Sequence, residues 1–411
     1  MATLGKQKVF TRIGIHADPT LRTSAGSPTF IYPPLDLGGL AVKGTQAAEE
    51  LELERNALAI THVLATTRNG EKGRISLPFY PEQAGTILGL AINDDGGGAG
   101  KPSYFVAEEY LGTTLGASWD AGTDTGRILT GCLADSLSFS VDRGNLGALK
   151  LGIDLFVNSD AATESSAPSP TWPSQDPYTG KRVLIDVDLA NNSNTLTGWT
   201  GDLADVLSFG FNYQNNLEVA LHRADLSSDE LDGTWTQVFP GTKRASIDVK
   251  LLTTSAKYLD LDRLAAGLRK CAFRVAGYSA SPSGSTTCTS SLTAGSSVTV
   301  AVAATTGFAV NDYVLLWQPT ANKFAVAKVT TVNSGVSLVV DTLDVTMDGT
   351  SETIKVRNGA WEFKIPDARI RSAPPKTVEG NKYVVSFQAD ALVSPSGTAA
   401  LSLKAYDDNG S

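Results

Sequence analysis

Hydrophobic and polar residues alternate along most of this chain with the period of β-strands. In "DSLSFSVDRGNLGALKLGIDLFV" (135–157), Leu137, Phe139 and Val141 alternate with Ser136, Ser138 and Ser140, and Leu149, Leu151, Ile153, Leu155 and Val157 follow. "AWEFKIPD" (360–367) and "YVVSFQADALV" (383–393) write a similar pair of strands far downstream. The same period predicts strands in "EELELERNALAIT" (49–61), "GRISLPF" (73–79), "SYFVAEEY" (103–110), "DVLSFGFNYQNNLEVALHRA" (205–224), "KRASIDVKL" (243–251) and "AFRVAGY" (272–278). Two segments have helical spacing instead. "PEQAGTILGLAIN" (81–93) places Pro81 at a first helical position and Ala84, Ile87, Leu88 and Ala91 on one face. "SAKYLDLDRLAAGLRKC" (255–271) offers Ser255 as a cap and Leu261, Leu264, Ala265 and Leu268 as an apolar face.

The order of elements is the same in both halves: strands, a helix, strands, then the strand pair. "YTGKRVLIDVDLA" (178–190) closes the first half and "SGTAALSLKAYDD" (396–408) the second. Aligned without gaps, Leu137, Phe139 and Val141 fall on Trp361, Phe363 and Ile365, while Ile153 and Asp154 fall on Ala389 and Asp390. This predicts a duplication. Two stretches interrupt it: a Ser/Pro loop at 158–177, and an insertion that opens with the flexible-looking "SASPSGSTTCTSS" and continues in short β-branched strands. The expected organisation is an N-terminal arm (1–45), a first repeat (46–190), a second repeat (191–278 and 349–411) and a small inserted β-domain (279–348).

Composition narrows the function. A chain of 411 residues with 42% hydrophobic and 19% charged residues folds, and it has room for two or three domains. Its formal net charge of −9 is the wrong sign for gripping nucleic acid through phosphates. Cys132, Cys271 and Cys288 have no metal or disulfide spacing and read as reduced thiols. The first residues have no apolar signal region and no apolar run is long enough to span a membrane, so folding in a cytosol is expected.

No catalytic motif stands up to inspection. "GGGAGKP" (96–102) lacks the first glycine and the Ser/Thr of a phosphate loop and follows a helix. "DVDLANNSN" (186–194) has Ala190 where a calcium loop needs a ligand. His16, His62 and His222 are isolated in sequence. The expectation is a protein that is not an enzyme and has no cofactor.

The twice-written layout resembles the tail tube proteins of tailed bacteriophages. "GRISLPFYPEQAGTILGLAI" with "LADSLSFSVDRGNLGALKLGIDLFV", and "KRASIDVKL" and "LDRLAAGL" with "AWEFKIPD" and "VVSFQADALV", carry the likeness. The insert, with "ATTGFAVNDYVLL", is similar to the small β-domains such proteins carry outside. The resemblance implies a mainly β fold: two tandem β-sandwich or half-barrel units, each with one flanking helix, plus the inserted domain. It also implies a virion protein, assembled in the host cytoplasm, that stacks as rings into a hollow tube conducting DNA. With two units per chain, three chains would fill a six-position ring. Its partners are then copies of itself and other tail proteins, with no membrane and no specific DNA binding. Ser136, Ser138, Ser140 and Asp154, with Glu362, Gln388 and Asp390, are the candidates for an acidic or neutral lumen face. An ordinary solvent face fits the same alternation, and Lys150 and Lys364 suit an acidic lining poorly. Phe30, Ile31 and Tyr32 are the candidates for ring-to-ring contact.

Three other readings compete. One is a different ring-forming tail or secretion-tube component. The second is a carbohydrate-binding β-protein using Trp172, Trp199 and Trp235 as platforms. The third is an enzyme of unrecognised type.

Overall fold

The computed structural model describes residues 7–15, 29–31, 40–50, 63–92, 104–112, 125–142, 147–157, 159–161, 175–189, 206–221, 235–239, 241–252, 270–288, 290–349, 353–371, 376–379, 382–392 and 401–405, with positions 144, 199, 261–262 and 264–266. The first half contributes β1 (Gln7–Ile15), β2 (Thr29–Ile31), β3 (Leu40–Glu50), β4 (Val63–Pro78), helix α1 (Ala84–Ile92), β5 (Phe105–Gly112), β6 (Thr125–Asp142), β7 (Lys150–Val157) and β8 (Ser159–Ala161). These strands pair antiparallel in the order β1-β5-β6-β7-β4-β3, with β8 on β6. Pro81 opens a 3₁₀ turn that leads into α1. Its fixed φ suits a first turn, where its missing N–H costs nothing. Ala84, Ile87, Leu88 and Ala91 are all buried in the core, as their spacing predicts.

Downstream come β9 (Val183–Asp188), β10 (Val206–Gln214), the hairpin β11 (Glu218–Leu221) and β12 (Trp235–Phe239), β13 (Arg244–Leu252) and β14 (Lys270–Tyr278). A separate six-stranded sheet follows: β15 (Ser285–Cys288), β16 (Gly295–Ala301), β17 (Tyr313–Gln318), β18 (Lys323–Asn333), β19 (Ser337–Leu343) and β20 (Ile354–Asn358). The chain then returns through β21 (Ala360–Ile370), β22 (Lys376–Glu379), β23 (Lys382–Ala391) and β24 (Ser402–Ala405). The second path reads β9-β14-β21-β23-β13-β10, with β24 on β21. Strand for strand, in chain order and in pairing, it matches the first path. The two join where β6 pairs β10, from Ser136↔Gln214 to Asp142↔Ser208. The result is one sixteen-stranded sheet among the described residues, curled as a half-barrel.

The ladders correct three details of the sequence reading. Ser136 faces Asp154 across β6–β7, and Arg369 faces Asp390 across β21–β23. Asp154 and Asp390 are therefore counterparts, as the ungapped alignment has it, but Leu137 matches Ile370 and not Trp361. The two pairings differ by nine positions (370 − 361), and alternation, which repeats every second residue, does not fix register along a strand. β21 also carries a β-bulge: its buried side runs Trp361, Phe363, Ile365 and then shifts phase to Ala368 and Ile370. Second, β9 lies in the second path, in the place that β1 holds in the first, so 178–190 and 396–408 are not counterparts. Third, the predicted helix at 255–271 is helical at 261–262 and 264–266, and Lys270 and Cys271 already belong to β14. Most of the expected strand at 49–61 lies outside the described residues.

Both paths share one hydrophobic core. At its centre Phe79 and Phe139 from the first half meet Trp361 and Phe363 from the second, with ring centroids 4.9–6.5 Å apart. Tyr178 joins this knot and donates its hydroxyl to the Gly359 carbonyl. The six-stranded sheet has its own core, including Val314, Leu316, Val340 and Ile354. Its sheet extends to Asn358, past position 348. Gly307 sits at φ +81°, where a Cβ would fall 1.9 Å from the Ser283 carbonyl oxygen, so only glycine fits this turn. The serine-rich opening of the insert is ordered: Ser279 is buried, and the Ser283 hydroxyl accepts from Asn358.

Candidate functional site

The side of the large sheet that faces away from its core carries a continuous polar face, and registry builds it. Opposite the buried row Leu137, Phe139, Phe209, Phe211, Ile247, Val249, Phe387 and Ala389, the alternate residues line up across six strands. One row runs Arg74, Asp154, Ser136, Gln214, Arg244. The next runs Gly152, Ser138, Asn212, Ser246, Asp390, and a third runs Ser140, Gly210, Asp248, Gln388. Gly210 leaves space for an open groove of about 610 Å³ between Ser140, Asp142, Ser208, Asp248, Lys250 and Gln388.

Two ion pairs are built into this face. Ser136 donates to Asp154 at 2.7 Å, Arg74 pairs with Asp154 at 3.5 Å, and Arg74 also reaches Ser138. Arg74 crosses the face above Gly152, where a Cβ would lie 2.5 Å from the Ser138 hydroxyl. At the far end Arg371 holds Asp390 through two bonds of 2.6 and 2.7 Å and donates to Gln388 at 2.6 Å. Those hydrogen bonds hold the Arg371 guanidinium above its usual pKa. The pair is half exposed, so Asp390→Asn is expected to lower unfolding stability by no more than ~1 kcal/mol; urea unfolding checks this.

Ser136, Ser138, Ser140, Asp154, Gln388 and Asp390 thus share one face. Glu362 does not: it is 2% exposed, in the part of β21 that pairs with β14 rather than β23. That stretch of β21 is covered by the six-stranded sheet, and Glu362 lies beside Lys404 and Arg274 instead of Asp390. Phe30 and Ile31 lie in β2 against β1, and Tyr32 is outside the described residues. Sequence reasoning missed Arg74, Arg371 and the whole contribution of β10 and β13. The alternation of Ser208, Gly210 and Asn212 with Phe209, Phe211 and Tyr213 was the available signal. The face carries Asp142, Asp154, Asp248 and Asp390 beside Arg74, Lys150, Arg244, Lys250, Arg369 and Arg371, so cations outnumber carboxylates on it and it is not acidic.

A second polar cluster lies where the six-stranded sheet meets the large one. Arg274, 0% exposed, bridges Asp186 on β9 at 3.1 Å and Asp344 after β19 at 3.2 Å. Its guanidinium lies 4.2 Å from the Phe324 ring centroid and 4.5 Å from that of Trp199. Lys364 pairs with Asp344 at 2.6 Å, and Lys404 donates to the Val326 carbonyl at 2.5 Å. Burial pushes Asp344 up, but Arg274 and Lys364 outweigh it and hold its pKa below the usual value. Asp186 is therefore an ion-pair partner on a strand, and residues 190–194 of the same stretch lie outside the described residues. Trp199 is packed here and is no exposed platform; Trp172 is outside the described residues.

Glu362 borders this cluster. Burial raises its pKa, and Lys404, at 3.7 Å, with Arg274 and Lys364, offsets that only in part. A carboxyl whose folded pKa is raised favours folding fully below its unfolded pKa, and this benefit is lost as pH rises through the folded value. Glu362→Gln is expected to match the native melting temperature at acid pH and to exceed it at neutral pH. Melting curves across pH test this; a variant melting below the native chain at neutral pH would mean that the Lys404 pair outweighs burial.

The cysteines are buried, and burial pushes the Cys132 thiol up to about 12 and Cys271 up as well. Among the described residues no group of three or more His, Cys, Asp or Glu is placed to hold a metal ion, and no helix is long and apolar enough to cross a membrane. His16, His62, His222 and the 96–102 turn lie outside the described residues. No protein-family model matches the sequence, and no curated protein matches it as a relative.

Proposed function

We propose that this chain is a structural subunit of the tail-tube type, in which two tandem units per chain and three chains per ring build a hollow tube for DNA. The observation that carries the reading is the β6–β10 joint. It fuses two equivalent strand paths into one sheet and continues the polar face across the seam. The counterpart of β10 in the first path is β3, which pairs only with β4 among the described residues. An unpaired edge of this kind invites a strand from a neighbour. A head-to-tail contact that repeats the internal joint closes a ring, and a repeated axial contact stacks rings.

In this reading the polar face is the wall past which DNA slides. Arg74 and Arg371 are engaged by Asp154 and Asp390, so phosphate must compete with an existing partner. The overall charge of −9 disfavours non-specific DNA binding further. In this reading the protein is a virion component that works without catalysis or cofactor, with its own copies and other tail proteins as partners and no membrane. Negative-stain electron microscopy over a concentration series tests it. Hollow tubes or stacked rings are expected, and a compact monomer at every concentration would overturn it.

A further inference from the structure

The six-stranded sheet is inserted between β14 and β21, a position at which small domains often swing on flexible tethers. Here both connections are short and held. Asn358 donates to Ser283 and to Asp312, and Ser279 and Gly359 exchange a backbone bond. An apolar patch forms the floor of the contact: Leu184, Ala276 and Ala360 of the large sheet meet Leu315, Phe324 and Val326. Apolar contact gives adhesion but little direction. Direction comes from the charges beside it. Arg274, Lys364 and Lys404 balance Asp186, Asp344 and Glu362, and every described bond among them demands a particular geometry. One member, Asp344, belongs to the small sheet and is shared by Arg274 and Lys364.

We propose that the Arg274 cluster is an orientation lock: it fixes the six-stranded sheet in one pose, so that this sheet moves with the large sheet as one rigid body. Buried ion pairs often add little net stability, yet each is satisfied in only one arrangement. The lock separates these two effects. A cluster stripped of its ion pairs to Asp344 should keep the fold and lose the single pose. The inference stands apart from ring assembly, since every contact lies within one chain.

The test is a spin-label distance measurement between Val336→Cys on the small sheet and Val378→Cys on the large one, positions 65% and 64% exposed. Cys132, Cys271 and Cys288 are buried and stay unlabelled. Labelled chains are diluted into unlabelled chains to remove distances between molecules. The native chain is expected to give one narrow distance. Arg274→Met with Asp186→Asn and Asp344→Asn is expected to lose that single peak while retaining native circular dichroism. A peak that stays narrow would overturn the lock. Asp344→Asn alone, at a partly exposed position, provides the same test should the triple variant fail to fold. It too is expected to broaden the peak, and an unchanged peak there would overturn the proposal equally.

Discussion

Replacing Trp361 with alanine lowers the stability of the chain by about 3–5 kcal/mol, the usual cost of emptying a large aromatic site in a core. Trp361 is 0% exposed and touches Phe79, Phe139, Tyr178 and Phe363. Edge-to-face ring pairs add about 0.5–1.5 kcal/mol each beyond the area they bury. The neighbours come from both strand paths, so the cavity weakens both at once. The site is also closely fitted. A Cβ on Gly277 would lie 2.7 Å from the indole, so the ring packs directly against the β14 backbone. Among the described residues the indole N–H has no hydrogen-bond partner, so Trp361→Phe sacrifices mainly volume and costs less than alanine. Urea unfolding followed by circular dichroism measures both. A loss below about 1 kcal/mol for alanine would mean that the two halves do not share this core.

The second large effect is at Arg274. Arg274→Met is expected to cost about 3–5 kcal/mol, because it removes the guanidinium that pairs with Asp186, itself 0% exposed. Adding Asp186→Asn removes the buried charge opposite and should recover most of the loss. The double-mutant cycle isolates the coupling. The contrast with Asp390→Asn follows from solvent: the Arg371–Asp390 pair has shorter bonds, but both members are about half exposed. Equal costs at the two sites would contradict the burial argument.

Much of the fold is legible in the sequence because strands alternate with period two and most of the predicted runs lie on described strands. α1 is legible because Pro81 marks its start. Phase is harder. A bulge adds a residue without changing composition, so the shift in β21 between Ile365 and Ala368 leaves no mark in the pattern. Glu362 alternates with Trp361 and Phe363 as the pattern suggests, but the inserted sheet covers that stretch of β21, which alternation does not reveal. β9 pairs with β14 through a contact distant in sequence, and alternation alone names no partner. The serine-rich stretch at 279–291 has the composition of a tether, yet Ser279 and Ser283 spend their hydroxyls on internal bonds. Half of the polar face was readable, namely Ser136, Ser138, Ser140, Asp154, Gln388 and Asp390. The arginines that answer it come from β4 and the end of β21 and join it only through registry.

The central claim is that one chain supplies two equivalent positions of a ring. Native mass spectrometry of isolated rings, with their rotational symmetry from averaged electron micrographs, tests it most directly. The account predicts three chains per ring and six similar lobes around the lumen. Six chains per ring would contradict the equivalence of the two strand paths, and the absence of any closed ring would contradict the joint between β3 and its neighbour.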